Sequence, residues 1–302
     1  MNRNIALVLS SGGARGMAHI GVIEELTSRG YNITSIAGSS IGSVIGGTYA
    51  AGALEKYKEW ICGFDKMDVI KLMDFMVSRN GFIKGEKIFL EMKKIFPDTN
   101  IEDLNIPLAI IGADITNHKE IIFRKGSLYE AMRASISVPS IFTPYIKDET
   151  EIVDGGIINP FPVDIVDRTA GDTLVAVNLN YPGKYEPPKE FKELKPDSDG
   201  YGKIKEFIND KWSTFFNSHS DKEERKIKKL GFFDLLTQSM WVLQEKVTEM
   251  YLHQYHPEVV INISRYASDT LGFHRSRELI EYGRQKARIA LDEAERKQVT
   301  KE

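Results

Sequence analysis

Cysteine is almost absent from this chain: Cys62 stands alone among 302 residues. An internal disulfide is therefore excluded, a cytoplasmic setting is expected, and Cys62, within the apolar stretch Trp60–Phe64, is expected to be a buried structural thiol. Long hydrophobic runs are missing too. No stretch reaches the roughly 18–20 apolar residues of a membrane-spanning helix, and Ile5–Leu9 is too short for a signal-peptide core, so any contact with lipid is expected to be peripheral. Nor does one sign of charge prevail. Forty basic against 43 acidic residues leave a net charge of -3, which provides no global basic field for nucleic acid. Neither a Cys/His cluster nor a His-Glu-x-x-His pattern occurs, so no metal or other cofactor is expected. What is present is 42% hydrophobic residues, enough for a large core in one domain.

Up to about residue 180, short apolar runs alternate with segments of helical period, the pattern of parallel strands joined by crossover helices. Strands are expected at Ile5–Ser10, Ile33–Gly38, Leu108–Ile115, Ile121–Arg124 and Thr173–Leu179, with helices at Gly16–Ser28 and Ile41–Ala53. At Tyr181-Pro182-Gly183 the composition shifts, and a Pro- and Asp-rich loop leads to Ile204, Phe207, Ile208, Trp212, Phe215 and Phe216 at helical intervals. Together they predict an amphipathic flap at about 184–230, inserted into a core formed by 1–183 and 231–302. The core resumes with a helix over Phe232–Gln254, a strand at Val259–Ile263 and a terminal helix from about Arg275 to Gln298.

Three short motifs carry chemistry. Ser40 is central in Gly38-Ser39-Ser40-Ile41-Gly42, between a strand and a helix pattern, where small neighbours allow the tight turn of a nucleophile elbow. Taken alone, the same spacing also fits a turn with a capping serine. In Gly12-Gly13-Ala14-Arg15-Gly16 the glycines let backbone N–H groups converge on an anion, either a phosphate or an oxyanion formed on a carbonyl. A phosphate site would need a following Lys-Ser/Thr or the full dinucleotide pattern, and neither is there. Asp154 precedes Gly155-Gly156 at the end of a short apolar strand and is a sharper candidate base than His19, His118, His219, His253, His256 or His274, although Asp-Gly-Gly also fits an ordinary turn.

Taken together and in this order, the three motifs resemble the patatin-like phospholipase family, especially its small bacterial members. Ala134-Ser135-Ile136-Ser137-Val138-Pro139 with Phe142 resembles a further block of that family. The resemblance is specific over the first 165 residues or so and only one of layout beyond them. It implies a three-layer α/β/α fold with a mostly parallel central sheet, carrying the inserted flap. It implies that Ser40 attacks an ester carbonyl, that Asp154 contacts the serine without a histidine, and that Gly12, Gly13, Ala14 and Arg15 supply an oxyanion hole, chiefly through main-chain N–H groups. The implied partner is a phospholipid or another acyl ester. An aspartate of ordinary acidity is a poor base for a serine, so the site must raise its basicity by desolvation.

Two competing readings stay weaker. A malonyl-type acyltransferase would need a placed histidine beside an arginine such as Arg124 or Arg133, and a lipid-binding regulator would have no use for both Ser40 and Asp154. The flap stripe at 204–216 is open between core packing, a lid or lipid contact, and a homodimer interface.

Overall fold

A computed structural model describes residues 3–72, 86–139, 141–191 and 232–299. The expected flap stripe at 204–216, together with His219, lies outside the described residues.

Strand β1 (Asn4–Leu9) is apolar without interruption from Ile5 onward because that part is buried on both faces. Ile5, Leu7 and Leu9 point to one side of the sheet, Ala6 and Val8 to the other. Around it run β2 (Asn32–Ser39), β3 (Leu108–Asp114), β7 (Thr173–Tyr181) and β8 (Val259–Ser264), all parallel. The thicker layer packs α1 (Met17–Ser28), α2 (Ile41–Ala50) and the C-terminal α8 (Ser276–Val299) on the isoleucine and leucine face. Helices α3 (Leu54–Cys62), α4 (Lys66–Leu72), α5 (Glu86–Ile95) and α6 (Leu128–Ser135) extend it. Ala6, Ala37, Ala109 and Ala176 line the opposite face, which is covered by Phe161, Val163, Ile165 and Val166 and by Tyr251 and Leu252 of α7 (Phe232–Tyr255). The arrangement is the three-layer α/β/α fold, with a mostly parallel sheet, implied by the motifs.

One strand differs from the sequence reading in direction. The run expected at Ile121–Arg124 forms β4 (Lys119–Phe123) and pairs antiparallel with β3, because the few residues between them can close a hairpin but not a crossover. A second hairpin, β5 (Tyr145–Lys147) and β6 (Thr150–Asp154), completes the sheet in the order β5-β6-β3-β2-β1-β7-β8. Its placement decides the site. Ile110 and Ile111 pair with β2 on one edge of β3 and with β4 on the other. Since β4 also occupies its edge along Gly112–Asp114, β6 can reach those residues only from the edge that β2 uses. Thus β2 ends at Ser39 opposite Ile111, and β6 ends at Asp154 opposite Gly112, the next residue of β3. The two strands meet end to end.

Cys62, expected to be buried, is half-exposed at the last position of α3. Tyr57 and Ile61 take the inward positions of that helix, and the next residue is rotated away from them.

Helices α1 and α8 approach backbone to backbone. A Cβ on Gly21 would lie 1.8 Å from the Ile280 carbonyl oxygen, and one on Gly283 would lie 2.0 Å from that of Ala18. Backbone cannot yield as a flexible side chain can. Gly21→Ala is therefore expected to cost about 3 kcal/mol or more and to lower Tm by several degrees. A thermal melt within about 1 °C of wild type would show that the two helices do not cross so closely.

Candidate active site

Where β2 turns into α2, Ser40 adopts φ 53° and ψ -124°, a left-handed conformation that costs a non-glycine residue energy. Its surroundings hold it there. The Ser40 N–H donates to Ser135 Oγ at 2.9 Å, and the Ser40 carbonyl accepts the Ser43 N–H at 2.9 Å and the Ser43 hydroxyl at 2.6 Å. Glycine at position 42 lets α2 start hard against the end of β1, since a Cβ there would stand 2.1 Å from the Leu9 carbonyl oxygen. The G-x-S-x-G spacing thus has a steric cause in this chain.

Asp154 arrives from β6. Its N–H donates to the Ser137 carbonyl at 3.0 Å, its Oδ1 accepts the Gly156 N–H at 2.7 Å, and its Oδ2 accepts the Ser40 hydroxyl at 2.5 Å. Residues 114 positions apart in sequence are in direct contact. Both are buried, Ser40 at 5% and Asp154 at 3% relative exposure, so the carboxylate has little water to stabilise its charge. Burial pushes the Asp154 carboxyl up to about 7, against the opposing pull of hydrogen bonds from Ser40 and Gly156. That is the range a general base needs at neutral pH.

The block from Ala134 to Pro139 has a concrete role here. Through the Ser135 hydroxyl it fixes the Ser40 backbone, and through the Ser137 carbonyl it fixes that of Asp154. That role is not legible in the sequence, because a buried serine bonded to backbone leaves no periodic or compositional trace.

The glycine loop lies beside the pair. Gly13 has φ +57° and borders the same cavity as Ser40. Among the described residues no hydrogen bond occupies the Gly12 or Gly13 amide. The Ala14 amide instead donates to the Thr270 carbonyl at 2.8 Å, so it is not available to an oxyanion as the motif implied. The Arg15 side chain also turns away from Ser40. Its Nε donates to the Leu179 carbonyl and its Nη1 to that of Ser268, both at 3.2 Å, and these bonds anchor the loop to the end of β7 and the segment after β8.

No histidine assumes the role of base in the described contacts. His19 is buried in α1, its Nε2–H donates to the Ser10 carbonyl at 3.0 Å, and burial lowers its pKa to about 4. His118, His253 and His256 are exposed. Arg124 bonds Asp167 and the Ile165 carbonyl, and Arg133 bonds Ser137 and Thr143, so both serve the scaffold. Among the described residues no cluster of His, Cys, Asp or Glu could hold a metal ion, and no helix is long and apolar enough to cross a membrane.

From Ser40 a cavity opens between the helices, walled by Val44, Tyr57, Trp60, Met92, Phe142 and Phe273. Nearly all of its lining is apolar, which suits a hydrocarbon chain and not a charged or sugar-like group. The Ser40 hydroxyl and Gly13 border this cavity, and the desolvated Asp154 carboxylate holds that hydroxyl from behind; a hydroxyl, a base and a nearby amide are parts that acyl transfer needs.

Comparison with known proteins gives the family. Residues 7–167 match the model of the family described as Patatin-like phospholipase. An uncharacterized NTE family protein of Mycobacterium bovis is 30% identical over 330 aligned positions, covering 95% of this chain and 91% of that protein. One from Mycobacterium tuberculosis is similar to the same extent. Mouse patatin-like phospholipase domain-containing protein 6 is 32% identical over 182 residues, which is 58% of this chain and 13% of that longer protein. The family match runs from β1 past Asp154, and the mycobacterial likeness continues it over nearly the whole length: this chain belongs to the patatin-like phospholipase family.

Proposed function

We propose that the protein is a serine acyl hydrolase that cleaves carboxylic esters of lipids through Ser40 and Asp154. Membership of the family implies lipid acyl hydrolase activity, and the proposal adds the residues and the order of steps. One observation carries it: the Ser40 hydroxyl donates to Asp154 Oδ2 at 2.5 Å at the mouth of an apolar cavity.

In the proposed cycle the acyl chain lies in the cavity and the ester carbonyl faces Ser40. Ser40 Oγ attacks the carbonyl carbon while its proton passes to Asp154. Negative charge on the carbonyl oxygen is met by the Gly12 and Gly13 amides. The tetrahedral adduct then collapses, the leaving alcohol or lysophospholipid takes the proton from Asp154, and Ser40 is left acylated. Water attacks this acyl-enzyme, giving its proton to Asp154, and the fatty acid departs as Ser40 is restored. Lipid contact through residues 204–216 and a homodimer belong to the same proposal; nucleic acid has no place in it.

A fluorophosphonate that phosphonylates wild type at Ser40, together with mass-spectrometric detection of fatty acid released from a phospholipid panel, tests this reading. Binding of phospholipid with no labelling and no fatty acid release would leave a lipid-binding protein and not a hydrolase.

A further inference from the structure

Helix α7 reaches both halves of the site from one face. Trp241, Gln244, Glu245 and Thr248 recur inward at helical spacing, while Val242, Leu243 and Met250 are exposed. Gln244 Nε2–H donates to the Gly156 carbonyl at 3.0 Å. The amide of that same glycine holds Asp154 Oδ1 at 2.7 Å. One turn earlier, the Trp241 ring lies 5.6 Å from the Arg15 guanidinium, whose bonds to Leu179 and Ser268 anchor the glycine loop. Arg265 clamps the helix in place, donating to Glu245 at 2.5 Å and to the Trp241 carbonyl at 3.2 Å.

Within the turn the Gly155 carbonyl accepts the Ile158 and Asn159 amides, at 3.2 and 2.9 Å, and the next carbonyl, that of Gly156, is the one that takes a donor from outside. Gln244 supplies that donor. We propose that α7 braces the two catalytic loops against each other, with Gln244 positioning the Asp154 turn and Trp241 positioning the glycine loop. The proposal rests on the reading of Ser40 and Asp154 as the reacting pair. Other ionisable groups on the surrounding elements are engaged elsewhere: Arg15 as above, Arg133 with Ser137 and Thr143, and Glu245 with Arg265.

Gln244→Met and Trp241→Leu in the full chain separate the two arms, read by hydrolysis of a short soluble ester and by the rate of fluorophosphonate labelling across pH. Gln244→Met should slow both rates about tenfold, the worth of one well-placed hydrogen bond, with KM unchanged. Its acid limb should also move to higher pH, because the Gly156 N–H no longer bears firmly on the carboxylate. Trp241→Leu should slow both rates by a similar factor and leave the acid limb where it is. If Gln244→Met does not fold, Gln244→Glu has the same shape and cannot donate once ionised, and the same upward shift is expected of it. Labelling rates and acid limbs equal to wild type in folded variants would overturn the brace while leaving the Ser40–Asp154 reading intact. Failure of wild type itself to label would overturn that reading, and the brace with it.

Discussion

Ser40→Ala should lower kcat for a soluble ester by about 10⁴-fold or more, since it removes the oxygen proposed to form the acyl-enzyme. The protein should remain folded. Alanine accepts the same backbone conformation as serine, and the Ser40 N–H and carbonyl keep their bonds to Ser135 and Ser43, which do not involve the missing hydroxyl. Only the contact with the Asp154 carboxylate is lost, at about 2 kcal/mol. Intact-protein mass after fluorophosphonate treatment gives a second readout, because the variant should gain no adduct. Activity within about tenfold of wild type would mean that another group attacks the ester.

Asp154→Asn should abolish turnover almost as fully and yet raise stability above neutral pH. An amide fits the same space but cannot take the proton of Ser40. The sign of the stability effect follows from the carboxyl's displacement from 3.8 to about 7. A group that binds its proton more tightly in the folded state makes folding less favourable as pH rises through that interval. In wild type the cost is absent near pH 4 and complete above about pH 7, where it amounts to a few kcal/mol. Asparagine carries no such cost, so its Tm should exceed that of wild type at pH 8 and equal it near pH 4. The same carboxyl sets the pH profile of wild type: kcat/KM should fall about tenfold per unit below about pH 7 as Asp154 becomes protonated. A profile flat down to pH 5, or a His19→Ala variant that is inactive while Asp154→Asn is nearly normal, would contradict the assignment.

Strong local patterns made much of this molecule legible in its sequence. The strands β1, β2, β3, β7 and β8 announce themselves as apolar runs because a parallel sheet buried on both faces admits little else. Ser40 and the glycine loop are legible because a steep turn and a backbone nest demand particular small residues at fixed spacing. The direction of β4 is not legible, since an apolar run states that it is a strand and not which way its neighbour points. The end-to-end meeting of β2 and β6 leaves no local trace either, because it depends on how β3 divides its edges among three partners. Gln244 is the least legible of all: a glutamine in a long helix has an unremarkable identity, and its bond to Gly156 spans 88 positions.

The match to the family model stops at residue 167, soon after Asp154, yet the sheet does not stop there. Strand β1 sits in the middle of the order and relies on β7, from Thr173 to Tyr181, to cover its second edge. Helix α1 likewise has its backbone pressed against α8, at the far end of the chain. A polypeptide cut at 167 would possess every reacting group and still present a bare, fully apolar strand edge, the surface on which chains add to one another without limit. The family model and the folding unit therefore have different boundaries in this protein. The portion that the family model spans is not one that could stay in solution by itself, and the remainder is what makes it a separate molecule and not a seed for aggregation.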